Sequence, residues 1–274
     1  MSKNNFVLIR GGGDLATGVA LRLYRAGIKV LITELARPLA VRRTVSFAEA
    51  VYTGHHTVEG VKARLIEANQ LSAWDEADEI PVLVDPNIDI LLRNTFYAVV
   101  DARLIKQVPP PLPKDVSLHI GLGPGFCAGE NCHAVIETRR SHTLGRVYWQ
   151  GSTQPDSGLP EGDPRRVLRA PSDGVVVSHA NIGDHVKDGQ VIAEIQSEIE
   201  DRKSKIVSPF DGVLRGLIHN GLYVPKGLKV GDIDPRGDAS VCDLVSDKAL
   251  AIGGGVLEAV LSKEEIRKLL YAVK

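Results

Sequence analysis

The second half of this chain is written twice. "APSDGVVVSHANIGDHVKDGQVIAEI" (170–195) and "SPFDGVLRGLIHNGLYVPKGLKVGDI" (208–233) align without a gap at an offset of 38 residues. Pro171 matches Pro209, Asp173 matches Asp211 and Gly174 matches Gly212, and the register continues through Gly183/Gly221, Val186/Val224, Gly189/Gly227 and Ile195/Ile233. Short β-rich segments with glycine at fixed places, and turns such as Ser-Asp-Gly and Phe-Asp-Gly, predict two copies of one small β unit. Each copy is too small to bury its own apolar face, so the two are expected to interlock around a shared core.

The first half follows a different rule, alternating strand and helix periods. In "FVLIRGGGDLATGVALRLYRAGIKVLITE" (6–34), Phe6 to Ile9 predicts a buried strand. Ala16, Val19, Ala20 and Leu23 then recur at i, i+3, i+4 and i+7 as one helical stripe. Gly27 ends that helix, and Lys29 to Thr33 predicts the next strand. Further apolar runs at Ile80 to Val84, Tyr97 to Val100 and Val116 to Ile120 each stand near a turn signal or an acid. The alternation predicts an α/β fold with a Rossmann-like doubly wound parallel sheet, whose ligands lie at the carboxyl ends of the strands. Residues 1–165 are assigned to this domain, 166–240 to the repeat module and 241–274 to C-terminal helices. Ser246 or Asp247 is expected to cap the first of these helices, and its Gly253-Gly254-Gly255 to permit close packing or a break. The stripe Ile266, Leu269 and Leu270 of the last helix needs a partner, so this end is expected to return to the first domain.

The predicted strand ends carry Arg10, Gly11, Gly12, Gly13, Glu34, Asp85, Asp101 and the loop Gly123-Pro124-Gly125-Phe126. Gly11 to Ala16 fits G-x-G-x-x-A, and Glu34 falls near the spacing of a ribose-binding acid. Asp14 argues against a plain dinucleotide. At the helix entrance, as an N-cap, it would satisfy the donors that otherwise receive a pyrophosphate and would repel the phosphate. Arg10 is placed to pair with Asp14 or to reach an anionic ligand. The Gly123 to Phe126 turn is a candidate anion nest of backbone amides. Cys127 beside it is a candidate reactive thiol, and His142 lies in a charged turn able to bind anionic groups. Cys127, Cys132 and His133 have the composition of a soft metal site but not the spacing of a zinc motif, so no metal is assigned.

Lys and Arg total 33 against 34 Asp and Glu, a net charge of -1, which argues against a footprint for nucleic acid or an anionic membrane. The apolar run near the N-terminus is too short for a signal-peptide core or a membrane span, and three cysteines are too few for a disulfide framework. A cytoplasmic protein is expected.

The repeat resembles the barrel-sandwich hybrid of biotinyl and lipoyl domains, whose halves carry P-x-x-G-x-V followed by G-D-x-V-x-x-G-Q. Those domains present a modified lysine on the hairpin between the halves. Here that hairpin, "QSEIEDRKSKIVSP", has Ile199 at the lysine position, with Lys203 and Lys205 out of register. Neither biotin nor lipoate is therefore expected.

"VLIRGGGDLATGVALRL", "RRTVSFAEAVYTG", "IPVLVDP", "VVDARL", "IGLGPGF", "HAVIETRRSHTLGRV" and "RAPSDG" together resemble the YqeB family of selenium-dependent molybdenum hydroxylase system proteins. The nucleotide-fold half of that family is similar to XdhC-type chaperones of molybdenum cofactor. The resemblance implies an accessory protein that binds molybdenum cofactor (molybdopterin) and assists its sulfuration, selenation or insertion, with a hydroxylase subunit or a cofactor-sulfurating protein as partner. It implies that Gly11, Gly12 and Gly13 admit the phosphate, that Arg10 offsets Asp14, and that Arg42 and Arg43 contact phosphate or pterin oxygens. Cys127 would face the metal-dithiolene end or a sulfur or selenium donor. The family's Arg-Gly-His reads Arg140-Ser141-His142 here. An NAD(P)-dependent oxidoreductase and a non-catalytic docking adaptor are the alternatives, and a homo-oligomer is compatible with each.

Overall fold

The computed structural model describes residues 6–76, 78–158, 162–197 and 203–272. The chain forms two compact units: Met1–Pro38, Ser46–Asp156 and Val245–Lys274 make the first, Leu39–Val45 and Ser157–Leu244 the second. The cuts expected after 165 and 240 thus fall nearer to 156 and 244, and a short segment from the first half joins the second unit. The reason is visible in its bonds. Arg42 donates to the carbonyls of Val241 and Leu244, Arg43 to that of Leu217, and the Thr44 hydroxyl to that of Cys242.

In the first unit the strands are β1 (Phe6–Arg10), β2 (Lys29–Glu34), β3 (His55–Val58), β4 (Val61–Ile66), β5 (Ile80–Val84), β6 (Ala98–Asp101), β7 (His119–Leu122), β8 (Cys127–Ala128), β9 (Ala134–Ile136), β10 (Val147–Tyr148) and β11 (Gly151–Ser152). The helices are α1 (Asp14–Arg25), α2 (Ala50–Thr53), α3 (Ile90–Arg93), α4 (Asp247–Leu261) and α5 (Glu264–Ala272). Nine strands form one sheet in the order β10-β9-β7-β6-β1-β2-β5-β4-β3, while β8 and β11 pair separately.

This corrects the expectation of a doubly wound parallel sheet. The seven central strands are parallel, but β3 runs antiparallel to β4 and β10 antiparallel to β9, so the sheet is mixed and fits a Rossmann fold only in part. The β3–β4 hairpin turns on Glu59 and Gly60, both at positive φ. The winding differs as well. Among the described residues, only the β1–β2 connection within the sheet contains an α-helix longer than four residues, and the face bearing Leu8, Leu31, Leu83 and Val99 is covered by a 3-10 helix (Ala68–Glu76) carrying Leu71, by the short α3 carrying Leu91, and by residues such as Ile88 and Leu112. Strands buried on both faces read as continuous apolar runs whatever covers them. Apolarity therefore announced the strands without specifying helices above them.

Helix α4 packs on α1 through bare backbone. A Cβ on Gly18 would stand 2.6 Å from the Ala249 carbonyl oxygen, one on Gly253 2.6 Å from that of Gly18, and one on Gly255 2.1 Å from that of Gly145. The three-glycine run does not break the helix; it lets two backbones meet. Ser246 is its N-cap, accepting from the Ala249 amide at 3.2 Å. In α5 Ile266 is buried, while the side chains of Leu269 and Leu270 lie outside the described residues.

The second unit contains β12 (Val167–Arg169), β13 (Gly174–Ser178), β14 (His185–Val186), β15 (Val191–Gln196), β16 (Lys203–Val207), β17 (Gly212–Leu217), β18 (Tyr223–Val224) and β19 (Lys229–Asp234). They make two four-stranded sheets, β12-β19-β17-β14 and β16-β15-β13-β18. Each sheet takes strands from both repeats, since β14 of the first copy pairs with β17 of the second and β18 of the second with β13 of the first. The repeated Asp-Gly explains itself by this exchange. Asp173 accepts the Lys226 amide at 2.6 Å, and Asp211 accepts the Asp188 amide at 2.9 Å, the same bond seen from the other copy. A Cβ on Gly174 would meet the Gln196 carbonyl oxygen at 2.3 Å, and one on Gly212 that of Asp234 at 2.6 Å. The symmetry breaks at Asp232 and Asp234, which are buried beneath Arg166, Arg215 and Arg236; the first copy has Glu194 and Gln196 there. Ile199 lies outside the described residues.

Candidate functional site

The carboxyl edge of the central parallel strands gathers most of the residues singled out above. At the end of β1, Gly11 adopts φ +96°, a conformation that an L side chain resists, and its amide donates to the Thr33 carbonyl at 2.8 Å. The Gly12 amide donates to Glu34 Oε1 and the Leu35 amide to Oε2, both at 2.7 Å. Burial pushes the Glu34 carboxyl above its usual range while these two amides pull it down. The Gly12 carbonyl accepts from the Ala48 amide at 2.8 Å, and a Cβ on Gly12 would stand 2.9 Å from that nitrogen. This second glycine is spoken for by the chain itself.

Gly13 differs. It is the N-cap of α1 at an ordinary φ of -64°, and a Cβ there would meet no atom within 4 Å. Asp14 is not the N-cap that the sequence suggested. It sits one position inside the helix, its Oδ1 accepting from the adjacent Leu15 amide at 3.0 Å. The approach to the first turn over Gly13 is consequently open, with Asp14 as an acidic neighbour.

Arg10 turns away from Asp14. Its Nη2 donates to the Pro86 carbonyl at 3.0 Å, and Nη1 lies 3.7 Å from Asp101. Burial first, and the Arg103 guanidinium second, lower its pKa, with Asp101 and Asp85 opposing them. Asp101 is buried and holds Arg103 in a bidentate pair at 2.9 and 2.6 Å. Asp85 accepts the amides of Asp89 and Ile90 at 2.9 and 2.8 Å, which anchors the start of α3. Neither Arg103 nor Thr33, which the register places beside Arg10, was singled out from sequence. Each follows or ends an apolar strand, and only pairing shows which strand ends are neighbours.

The second glycine loop is filled. The Gly125 amide donates to the Ile105 carbonyl at 2.8 Å, and a Cβ on Gly125 would stand 2.3 Å from the Gln107 carbonyl oxygen. Gly123, at φ +107°, packs against Leu104, and a Cβ on Gly121 would stand 2.1 Å from Cγ of the buried Phe126. Pro124 tops this turn. Its glycines serve close packing, and the Gly125 amide is engaged within the chain instead of facing an anion. Below it His119 meets Phe126 edge to face at 5.8 Å, and burial drives its pKa down to about 4.

Cys127 is half-buried, its amide held by Asn131 Oδ1 at 2.8 Å, while burial pushes the thiol of Cys132 up to about 11. His142 is exposed in a turn organised by Glu137, which accepts the Arg139 and Gln154 amides at 2.8 and 2.9 Å. In that turn Arg140 pairs with Asp247 at 2.5 Å. Arg42 and Arg43 lie in the second unit, where the carbonyl bonds given above hold them. Among the described residues no helix is long and apolar enough to cross a membrane.

No family model matches the chain. Over 265 residues, 95% of its length, it is 47% identical to the uncharacterized protein YqeB of Escherichia coli K12. The match covers 48% of that relative, so the chain spans about half the length of the curated protein it resembles. Solved structures show a slighter likeness. Apo EutE (DoeB), an ectoine utilization protein of Ruegeria pomeroyi, shares 9% identity over 85% of this chain and 86% of its own, at a TM-score of 0.27. A succinylglutamate desuccinylase from Silicibacter shares 11% over 85% of each chain, also at 0.27. An aspartoacylase family protein from Mesorhizobium loti shares 9% over 84% of this chain and 56% of its own, at 0.25.

Proposed function

From homology to YqeB over most of the chain, we propose that this protein is an accessory of a molybdenum hydroxylase system, holding a phosphorylated ligand of molybdopterin type at the Gly13 end of α1. The observation that carries the reading is the open approach to Gly13 at a helix start, where backbone amides and the helix dipole suit a phosphate. Gly12 and Glu34 are already joined, so the phosphate contact falls to Gly13 and the first turn of α1. Bound there, the cofactor supplies the metal-dithiolene end to which sulfur or selenium is delivered. The chain supplies the grip on the phosphate, and a hydroxylase subunit or a sulfurating protein is the partner. Glu34 beside the glycine turn favours, as a second reading, a nicotinamide dinucleotide whose ribose donates to it.

The test is binding of the purified protein to molybdopterin cofactor and, in parallel, to NAD(H) and NADP(H), with Gly13→Asp as the blocking variant. Cofactor binding that is lost in the variant supports the accessory role. Nicotinamide binding alone replaces it with an oxidoreductase, and binding of neither replaces it with a docking adaptor.

A further inference from the structure

On the face of the sheet that carries Leu8, Leu31, Leu83 and Val99, the carboxyl edge ends in polar side chains. The register sets Thr33 of β2 beside Arg10 of β1, and Arg10 beside Asp101 of β6. Asp85 extends the row one residue beyond β5, its amide donating to the Glu34 carbonyl at 3.0 Å. One layer down, β6, β1 and β2 present Val99, Leu8 and Leu31, while Leu83 of β5 stands in register with Thr33 and Asp85 projects from the same face one step beyond the row. The row is therefore a polar rim on an apolar floor.

Two neighbours in the middle of this rim have a buried polar atom with no hydrogen-bond partner among the described residues: Arg10 at Nε and Thr33 at Oγ1. Thr33 is 1% exposed. Buried polar atoms are almost always matched, so two unmatched ones on adjacent strands mark a place where a ligand supplies the acceptor. An acceptor of complementary kind stands beside them. Each oxygen of Asp85 takes one backbone amide and keeps a further lone pair. The charges of Arg10 and Arg103 cancel those of Asp85 and Asp101, which favours a neutral ligand over an anion.

Donors beside an acceptor are the complement of a carbonyl beside an N–H. We propose that this rim binds a neutral heterocycle through a lactam edge of the kind pterins and purinones carry, its carbonyl on Arg10 Nε and Thr33 Oγ1 and its N–H on Asp85. Arg10 is the least buried of the row, so entry runs along its side chain and past the Pro86 carbonyl that it holds. The inference deepens the proposed function by saying where the ring of the ligand is read, and rests on that reading only for its choice of probe.

The experiment titrates unphosphorylated pterin, followed by its own fluorescence, against its N3-methyl derivative, in which the lactam N–H is blocked. The expected result is saturable binding of pterin and binding of the methylated ring at least about tenfold weaker. Thr33→Val, which removes a hydroxyl that has no partner and keeps the shape, is expected to weaken pterin about tenfold while leaving the melting temperature unchanged or raised. Equal affinity for the two rings, no effect of Thr33→Val, or no binding of pterin each overturns the proposal. Pterin that binds here while phosphorylated cofactor binds no better, and equally well to Gly13→Asp, leaves this site standing and overturns the phosphate seat instead.

Discussion

Two glycine turns in the first unit are nearly indistinguishable on paper and differ in the space around them. Gly11-Gly12-Gly13 follows β1, and Gly121-Leu122-Gly123-Pro124-Gly125 begins in the last two residues of β7 and runs on from it, in the same sheet. In the second, added Cβ atoms at Gly121 and Gly125 would lie within 2.1 and 2.3 Å of other atoms, whereas at Gly13 nothing lies within 4 Å. A glycine can be required because a ligand must come close or because the chain itself already has. Only the space around its missing side chain tells the two apart.

The sharpest way to break the comparison is Gly121→Ala. The added methyl falls on a fully buried ring, and overpacking of this kind is expected to cost about 3 kcal/mol; urea unfolding measures it, and a loss under about 1 kcal/mol would mean that the loop is as open as Gly13. The next effect comes from His119 beneath the same ring. Its folded pKa of about 4 lies below the ordinary 6.5, so the unfolded chain binds the proton first. The neutral ring's contribution is fully present above pH 6.5 and falls away as pH drops towards 4, by about 2–3 kcal/mol. His119→Gln is expected to flatten that part of a stability-versus-pH curve. Gly255→Ala, where α4 meets Gly145, is expected to cost about 2 kcal/mol without affecting ligand binding at Gly13. The smallest change is Gly13→Ala. Its φ suits alanine and its surroundings are empty, so stability is expected to move by less than about 1 kcal/mol, the ordinary scale of an N-cap exchange. Phosphorylated ligand should nonetheless bind more weakly, and an unchanged affinity would sink the seat.

How much of this was legible depended on whether the information was local. The five strands read from apolar runs are all present, although the run beginning at Val116 becomes a strand only from His119, after a proline-rich approach. The β3–β4 hairpin went unread because its polar-rich His55–Val58 has no apolar run to announce it, so the sheet came out mixed where it was expected to be parallel. In the site, Gly13 and Glu34 were named from spacing. Asp14 was placed correctly at the helix entrance but wrongly as its N-cap, which is Gly13, because the N-cap position depends on where the first helical turn closes. Thr33 was read only as a strand residue, and its significance comes from Arg10 on the next strand.

The sequence alone determined the parts with a period or a repeat: the amphipathic α1, the buried strands, and a β module in two copies whose Asp-Gly turns recur at a fixed offset. These are properties of neighbours along the chain, set by side-chain alternation and backbone conformational limits. Tertiary structure decided which glycine is open, which carboxylates are engaged, and that Arg42 and Arg43 hold backbone carbonyls in the second unit. Such outcomes depend on what arrives from tens or hundreds of residues away to occupy a space or accept a hydrogen bond, and no local pattern carries that information.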